Sequence, residues 1–385
     1  MSGSNSVKGN SVKGLDDSAI MQRVLDLAAK GMNTTQPNPM VGCIIINNEE
    51  IVGEGFHQMA GDLHAERVAL KAAGDRARGG TAYVSLEPCC HQGRTPPCTD
   101  ALIDAGIRKV VAAMRDPNPL VEGGGFAKLQ AAGIEVESGV LEEQARWLNR
   151  GFVNRMHNNR PWVVMKSAAT LDGRTAAADG QSKWITGDVA RADVQKIRAK
   201  SSAIITGIGT VETDDPNLDV RIDDCQRQPW RVVLDSKLQI PLDARIIGSD
   251  RKLLVFTLSD DVEKVSALTE LGVEVIQHAN EGNERLDLAS VLLDLAKWEC
   301  NEVLVEAGST LSGAFIEAGL VDELILFYAG SLLGDQAKSM FEFTQAVAFE
   351  NRPEYQVHNV TMVGSDVRVM ALNKKSVSAL TPISH

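Results

Sequence analysis

One histidine, one glutamate and two cysteines have the types and spacing to do chemistry. His64 and Glu66 stand two apart in "DLHAERVALKAAG", and Cys89 and Cys98 bracket a Pro/Gly-rich loop in "EPCCHQGRTPPC". One imidazole and two thiolates suit Zn²⁺ and leave its fourth position open, as in a catalytic centre. Ala65, Val68, Ala69 and Ala72 recur at helical spacing and Gly74 stops the run, so His64 and Glu66 fall in the first turn of a predicted helix. "GGTAYVSLEP" reads as a buried strand ending at Pro88, with Cys89 at its exit, and "CTDALIDAG" as a helix that begins at Cys98. The partial positive charge of a helix N-terminus favours a thiolate there. Glu66 leaves its helix in a different direction from His64, which suits a proton carrier better than a ligand. Cys90 or His91 as a fourth ligand would instead close a structural site. The full set of His64, Glu66, Pro88, Cys89 and Cys98 favours the catalytic reading.

The rest of the chain must position these groups. At 385 residues it is long enough for roughly two to three domains. The net charge of −12 argues against nucleic acid and against an anionic membrane surface as partners. No apolar run approaches a membrane span. The start, "MSGSNSVKGNSVKG", is polar and repeats SVKG; it reads as a disordered tail over residues 1–15. Cys43, Cys225 and Cys300 are scattered singly, unlike a disulfide framework, so a reducing cytoplasm is expected. From Asp17 to about Ala145, helical and strand patterns alternate, which predicts a three-layer α/β domain over 16–150. "EGGGFAKLQAAG" (122–133) is either a phosphate cradle or a flexible turn that starts a helix. A polar linker is expected at 151–160. A second α/β domain follows over 161–375, with strands at "WVVMKSAAT", "SAIITG", "RVVLD", "KLLVFT", "VEVIQ", "NEVLVE" and "ELILFYAG". "GIGTVE" lacks the third glycine of a dinucleotide fingerprint. "VEAGSTLSGAF" places Gly308, Ser309 and Thr310 at a helix start, which is either an anion site or a plain cap.

H-x-E followed by P-C…C is the pattern of zinc-dependent base deaminases, in which the glutamate shuttles a proton. Those usually have C-x-x-C, whereas eight residues separate Cys89 from Cys98 here. "HAE", "EPCCHQGRTPPC", "TQPNPMVGCII", "GFHQMAGDLHAE" and "RDPNPLVEGGG" resemble the deaminase half of the bifunctional riboflavin-biosynthesis deaminase/reductase family. "MKSAATLDGRTA", "GQSKWITG", "GIGTVETDDPNLDVR" and "VEAGSTLSGAF" resemble its reductase half. The resemblance implies a cytidine-deaminase-like N-terminal domain and a dihydrofolate-reductase-like C-terminal domain. It implies Zn²⁺ and NADPH as cofactors and a small phosphorylated pyrimidine as substrate. It places Asn38, His57 and His91 around the base and sugar, and Arg94 on the phosphate. In the second half it gives cofactor contacts to Ala168, Trp184, Thr210, Asp214 and Ser236, and to Gly308, Ser309, Thr310, Leu311, Ser312, Gly313 and Ala314. Ser182, Arg198, Leu218, Arg221 and Glu306 then meet the substrate, two arginines suiting a phosphate. From the residues alone, Asn38 is equally a turn residue, His57 a surface side chain and Arg198 a solvated helix position. The expected assembly is a homo-oligomer. One rival is an RNA or cytidine deaminase fused to an unrelated reductase, against which the acidic charge speaks. Another is a zinc module that only supports a reductase, where Glu66 would be dispensable.

Overall fold

The computed structural model describes residues 11–92, 96–119, 121–223, 225–248, 252–279, 282 and 284–380. The chain divides into two compact units, the boundary falling between Asn158 and Asn159.

The first unit contains α1 (Asp17–Ala29), β1 (Gly42–Asn47), β2 (Glu50–Phe56), α2 (Ala65–Ala73), β3 (Thr81–Val84), α3 (Cys98–Asp104), β4 (Lys109–Ala112), α4 (Gly124–Ala131), β5 (Glu135–Ser138), α5 (Glu142–Leu148) and α6 (Arg150–Asn158). Its sheet has the order β2-β1-β3-β4-β5. β1 pairs antiparallel with β2 and β3, while β3, β4 and β5 run parallel. Alternation along the strands loads both faces. Cys43, Ile45, Val84, Val110 and Ala112 meet Ala65, Ala69, Leu102, Phe126 and Leu129 of α2, α3 and α4 in one core. Ile44 and Val111 are buried as well, and α1 packs on β1 and β3. Asp16 caps α1 by accepting from Ala19 N at 2.8 Å.

Two expectations change. The tail does not extend to residue 15, because Val12 is buried and its N–H donates to Glu49 O at 2.9 Å. The stretch at 151–160 is not an extended linker. Most of it is α6, which buries Gly151, Phe152, Val153 and Asn154 in its first half and exposes His157 and Asn158 at its end.

The second unit contains β6 (Trp162–Thr170), β7 (Arg174–Ala176), α7 (Asp188–Lys200), β8 (Ala203–Gly207), α8 (Ile208–Asp214), β9 (Trp230–Leu234), β10 (Leu253–Thr257), α9 (Val262–Glu270), β11 (Val273–Gln277), α10 (Leu288–Lys297), β12 (Glu302–Val305), α11 (Ser309–Glu317), β13 (Glu323–Ala329), β14 (Lys338–Ser339), β15 (Tyr355–Val363), β16 (Asp366–Asn373) and α12 (Lys374–Leu380). Its sheet has the order β11-β10-β9-β8-β12-β6-β13-β16-β15. The strands from β11 to β13 are parallel, and β16 and β15 close one side antiparallel. The parallel strands are nearly continuous apolar runs, as burial on both faces requires.

Asp322, just before β13, is 1% exposed and ties this unit together. Arg160 donates to it from both guanidinium ends at 2.7 and 2.6 Å, Val163 N at 2.7 Å and Ser376 Oγ at 2.6 Å. Asp322→Ala leaves a buried amide and a half-buried guanidinium without their acceptor. The expected cost is about 3–5 kcal/mol, read as a lower denaturant midpoint for the transition that abolishes reductase activity.

Candidate active sites

His64 is the N-cap of α2, with extended backbone at φ −69° and ψ 158°. Glu66 sits in the first turn and is 3% exposed. β3 ends at Val84, short of the expected Pro88, so Cys89 lies in the loop five residues beyond it, and Cys98 opens α3 with its backbone N–H 3.3 Å from Cys89 Sγ. The donors converge as the spacing suggested. His64 Nδ1 lies 3.6 Å from Cys89 Sγ and 3.3 Å from Cys98 Sγ, and all three donor atoms fall within 4.8 Å of one another. Bonds of about 2.0–2.1 Å to nitrogen and 2.3 Å to sulfur place tetrahedral donors roughly 3.5–3.8 Å apart, so the set fits zinc. Cys90 is outside this group. Glu66 Oε2 is buried and has no hydrogen-bond partner. Burial, then Cys89, pushes the Glu66 carboxyl up. Hydrogen bonds from Cys98 and His64 pull the Cys89 thiol down to about 4 against its burial, and Cys98 is pushed up as the partner that keeps the proton.

The surroundings of the cluster differ from the bland readings. His57 is 2% exposed, not a surface side chain. It hydrogen-bonds Asn38 Nδ2 at 3.0 Å and Leu63 O at 3.1 Å, and its ring meets that of His64 edge-on with centroids 5.5 Å apart. Burial first lowers its affinity for a proton. His91 is exposed, and Arg94 lies outside the described residues. Sequence reasoning missed Arg67, Glu87 and Asp116. Arg67 ties α2 to the end of the loop by donating to Pro96 O and Pro97 O at 3.2 and 2.9 Å. Glu87 accepts from Gly123 N and Phe126 N at 3.0 and 3.1 Å, so the glycine run wraps a carboxylate of its own chain. The Asp116 carboxyl is 7% exposed. Burial, then the negative charges of Glu87, Cys89 and Glu66, pushes it up to about 7.

In the second unit, the expected cofactor residues follow the carboxyl ends of parallel neighbours. Thr210 and Asp214 lie on α8 after β8, Ser236 just after β9, Gly308 to Ala314 after β12, and Ala168 near the end of β6. That edge is where open α/β sheets bind ligands. α11 starts at Ser309 without a side-chain cap, and a Cβ on Gly308 would meet open space. Free amides at such a helix start fit an anionic group. Thr310 Oγ1 donates to Glu342 Oε2 at 2.9 Å beside it. Ser236 Oγ accepts from Leu286 N at 3.3 Å. Trp184 is 70% exposed, with the Arg191 guanidinium 4.6 Å from its ring, and the adjacent Lys183 pairs with Asp214 at 3.1 Å.

Arg198 is no solvated helix residue. It donates bidentately to Glu306 at 2.6 and 3.0 Å and through its third nitrogen to Asp219 O at 2.9 Å. Leu218 at φ +48° turns the chain so that Arg221 also reaches Asp219, at 2.7 Å. Arg198, Leu218, Arg221 and Glu306 are therefore brought together, and Ser182 lies in the segment between β7 and α7. Burial would raise the Glu306 carboxyl, but Arg198 and then Lys166, 3.7 Å away, outweigh it and hold it at about 2. The Arg198 fork is committed to Glu306, so Arg221, 60% exposed, has the freer donors for a phosphate.

Residues 161–369 match the family model of the RibD C-terminal domain, and residues 15–114 that of the cytidine and deoxycytidylate deaminase zinc-binding region. The riboflavin biosynthesis protein RibD of Haemophilus influenzae is 46% identical over 365 residues, covering 92% of this chain and 96% of that protein. RibD of Escherichia coli K12 is 44% identical over 366 residues, covering 92% and 98%. The structure of Acinetobacter baumannii RibD superposes with a TM-score of 0.86 at 42% identity, covering 92% of this chain and 98% of that one. A diaminohydroxyphosphoribosylaminopyrimidine deaminase/5-amino-6-(5-phosphoribosylamino)uracil reductase from Thermotoga maritima gives 0.83 at 36%, with the same coverage. With both halves matched in one chain and relatives that span nearly its whole length, the protein belongs to the RibD family of bifunctional riboflavin-biosynthesis deaminase/reductases.

Proposed function

We propose that the first unit hydrolytically deaminates 2,5-diamino-6-(5-phosphoribosylamino)pyrimidin-4(3H)-one at the His64–Cys89–Cys98 centre. The second unit then reduces the ribosyl side chain to ribityl with NADPH. The observation that carries the first assignment is the buried, unpartnered Glu66 Oε2 beside three converging metal donors. When bound by His64, Cys89 and Cys98, zinc supplies the Lewis acidity that makes water nucleophilic at neutral pH. Glu66 accepts a proton at Oε2 and delivers it to the departing amine. Asn38 and His57, already bonded to each other, orient the base, with His91 and Arg94 assigned to the sugar phosphate end. In the second unit Arg221 takes the substrate phosphate, and the Arg198–Glu306 pair orients the ribosyl group. When bound, NADPH supplies the hydride. The amides at the start of α11 hold its pyrophosphate, and Ala168, Trp184, Thr210, Asp214 and Ser236 flank it. The free thiols suit a cytoplasmic enzyme. Exposed Val357, Val360 and Met362 on edge strand β15 support a homo-oligomer. No helix among the described residues is long and apolar enough to cross a membrane.

Glu66→Gln keeps the side-chain shape and removes the proton carrier. Ammonia release should fall by about 10²–10⁴, with zinc content unchanged by metal analysis. Near-normal deamination would end the assigned role. Cys89→Ser and Cys98→Ser should lose zinc, while Cys90→Ser should keep it; the reverse pattern would overturn the ligand set.

Gly308→Asp tests the second unit. Its backbone is already extended at φ −68° and ψ 171°, and a Cβ meets no neighbour, so the substitution introduces charge without a clash. An N-cap aspartate should stabilise the unit by about 0.5–1 kcal/mol while raising the NADPH KM. An unchanged KM in the stabilised variant would move the pyrophosphate elsewhere.

A further inference from the structure

Glu87 lies at the exit of β3, two residues before Cys89, and is 3% exposed. A carboxylate held that far from water is costly unless donors meet its charge. Backbone meets it here. Asp116 N and Gly123 N donate to Oε2 at 3.2 and 3.0 Å, and Phe126 N donates to Oε1 at 3.1 Å. The Glu87 N–H donates in turn to Met114 O at 3.0 Å. These bonds grip both ends of the segment from 114 to 126. The same segment is pressed against the turn that carries the metal-side cysteines. A Cβ on Gly125 would lie 2.1 Å from Pro88 O, and one on Gly124 would lie 3.1 Å from Cys90 Sγ. The glycines are there because backbone must approach backbone, and an internal anion fills the amides that they expose. The segment also carries Asp116, whose Oδ1 accepts from Asn118 N at 2.9 Å.

We propose that Glu87 is a positioning residue of the deaminase. Its carboxylate, bound by three backbone amides, fixes the 114–126 segment and its Asp116 carboxyl against the Cys89 turn, and so shapes the wall of the substrate pocket. Glu87 touches neither the metal donors nor the reacting atoms; it acts through the segment that it holds. Charge-assisted bonds to backbone amides are the strong, geometrically fixed kind. Their loss lets the segment drift by distances that matter for orientation. The inference deepens the deaminase reading of the first unit and rests on it.

The experiment uses the full-length zinc-loaded protein with Glu87→Ala and Glu87→Gln. It measures zinc content, steady-state deamination of the diaminopyrimidinone ribosyl phosphate, reduction by the second unit, and amide hydrogen exchange along residues 113–126. Glu87→Ala should raise the deamination KM about tenfold or more, with a smaller change in kcat, wild-type zinc and unchanged reduction. The amides of Asp116, Gly123 and Phe126 should exchange faster. Glu87→Gln should shift KM less, because its one carbonyl oxygen can still accept from Asp116 and Gly123 while its NH₂ group opposes Phe126 N–H. Wild-type KM and wild-type exchange in both variants would overturn the proposal. So would zinc loss in proportion to lost activity in both, which would make Glu87 a support of Cys89 alone. Should the wild-type protein release no ammonia from this substrate, the deaminase reading falls, and the exchange measurement still decides whether Glu87 holds the segment.

Discussion

The metal-side chemistry depends on two absent side chains. α2 reaches its depth on the first sheet only because Gly53 and Gly55 have no Cβ. One at Gly53 would lie 2.2 Å from Ala69 O, and one at Gly55 would lie 2.6 Å from Ala65 O. Ala65, Ala69 and Ala73 on the facing side of α2 are small for the same reason. This contact sets the position of His64 and Glu66 relative to the strand layer from which Cys89 departs. Close-packed interiors transmit such constraints rather than absorbing them. A centre whose bond lengths are fixed to within about 0.2 Å cannot follow a helix displaced by a methyl group. The rest of the cluster follows. Arg67 carries the fixed position of α2 to the loop end at Pro96 and Pro97, and hence to Cys98.

The acidic chain buries several carboxylates, and the way each is met separates structure from chemistry. Asp322 is met by Arg160, Glu306 by Arg198 and Lys166, and Glu87 by backbone amides. Glu66 Oε2, like Asp235 Oδ1, has no hydrogen-bond partner. What sets Glu66 apart is that this costly oxygen lies beside three converging metal donors. The same logic makes Glu306 a fixed orienting group rather than a proton carrier. Held at about 2, it stays ionised across the range in which the enzyme would work.

The sequence made the metal site legible because its information is local and chemically narrow. His-x-Glu at a helix start, a cysteine at a strand exit and a cysteine at the next helix start admit few other purposes. Most strands were legible for a similar reason, since short apolar runs bounded by turns have one common reading. What escaped depends on partners distant in the chain. The Arg198 fork is explained only by Glu306, over a hundred residues away. The glycine run at 123–125 looked like a cradle or a turn because its anion, Glu87, comes from the loop after β3. The α6 helix was hidden by its polar C-terminal half, and the β15–β16 hairpin by alternation in which few positions are buried. Arg94, to which the resemblance gives the phosphate, falls outside the described residues.

Two glycine-to-helix junctions in the protein share a local pattern and differ in what neutralises them. At α4 the amides of Gly123 and Phe126 donate to Glu87 from the loop after β3. At α11 no side chain caps the helix and the space above Gly308 is open. In the proposed reading, that junction receives the cofactor's pyrophosphate in a chain whose net charge is −12. The residue two before Gly308 is itself a carboxylate, Glu306, and unpaired it would repel phosphate at close range. Arg198 and Lys166 pair with it at 2.6 and 3.7 Å, so its charge is offset locally, while the Glu342 carboxylate sits beside Ser309 and Thr310. In a partly buried setting a single charge at about 4 Å is worth on the order of several kcal/mol. In the proposed reading, the same two pairs that fix Glu306 for the substrate also keep its charge from repelling the cofactor's phosphates.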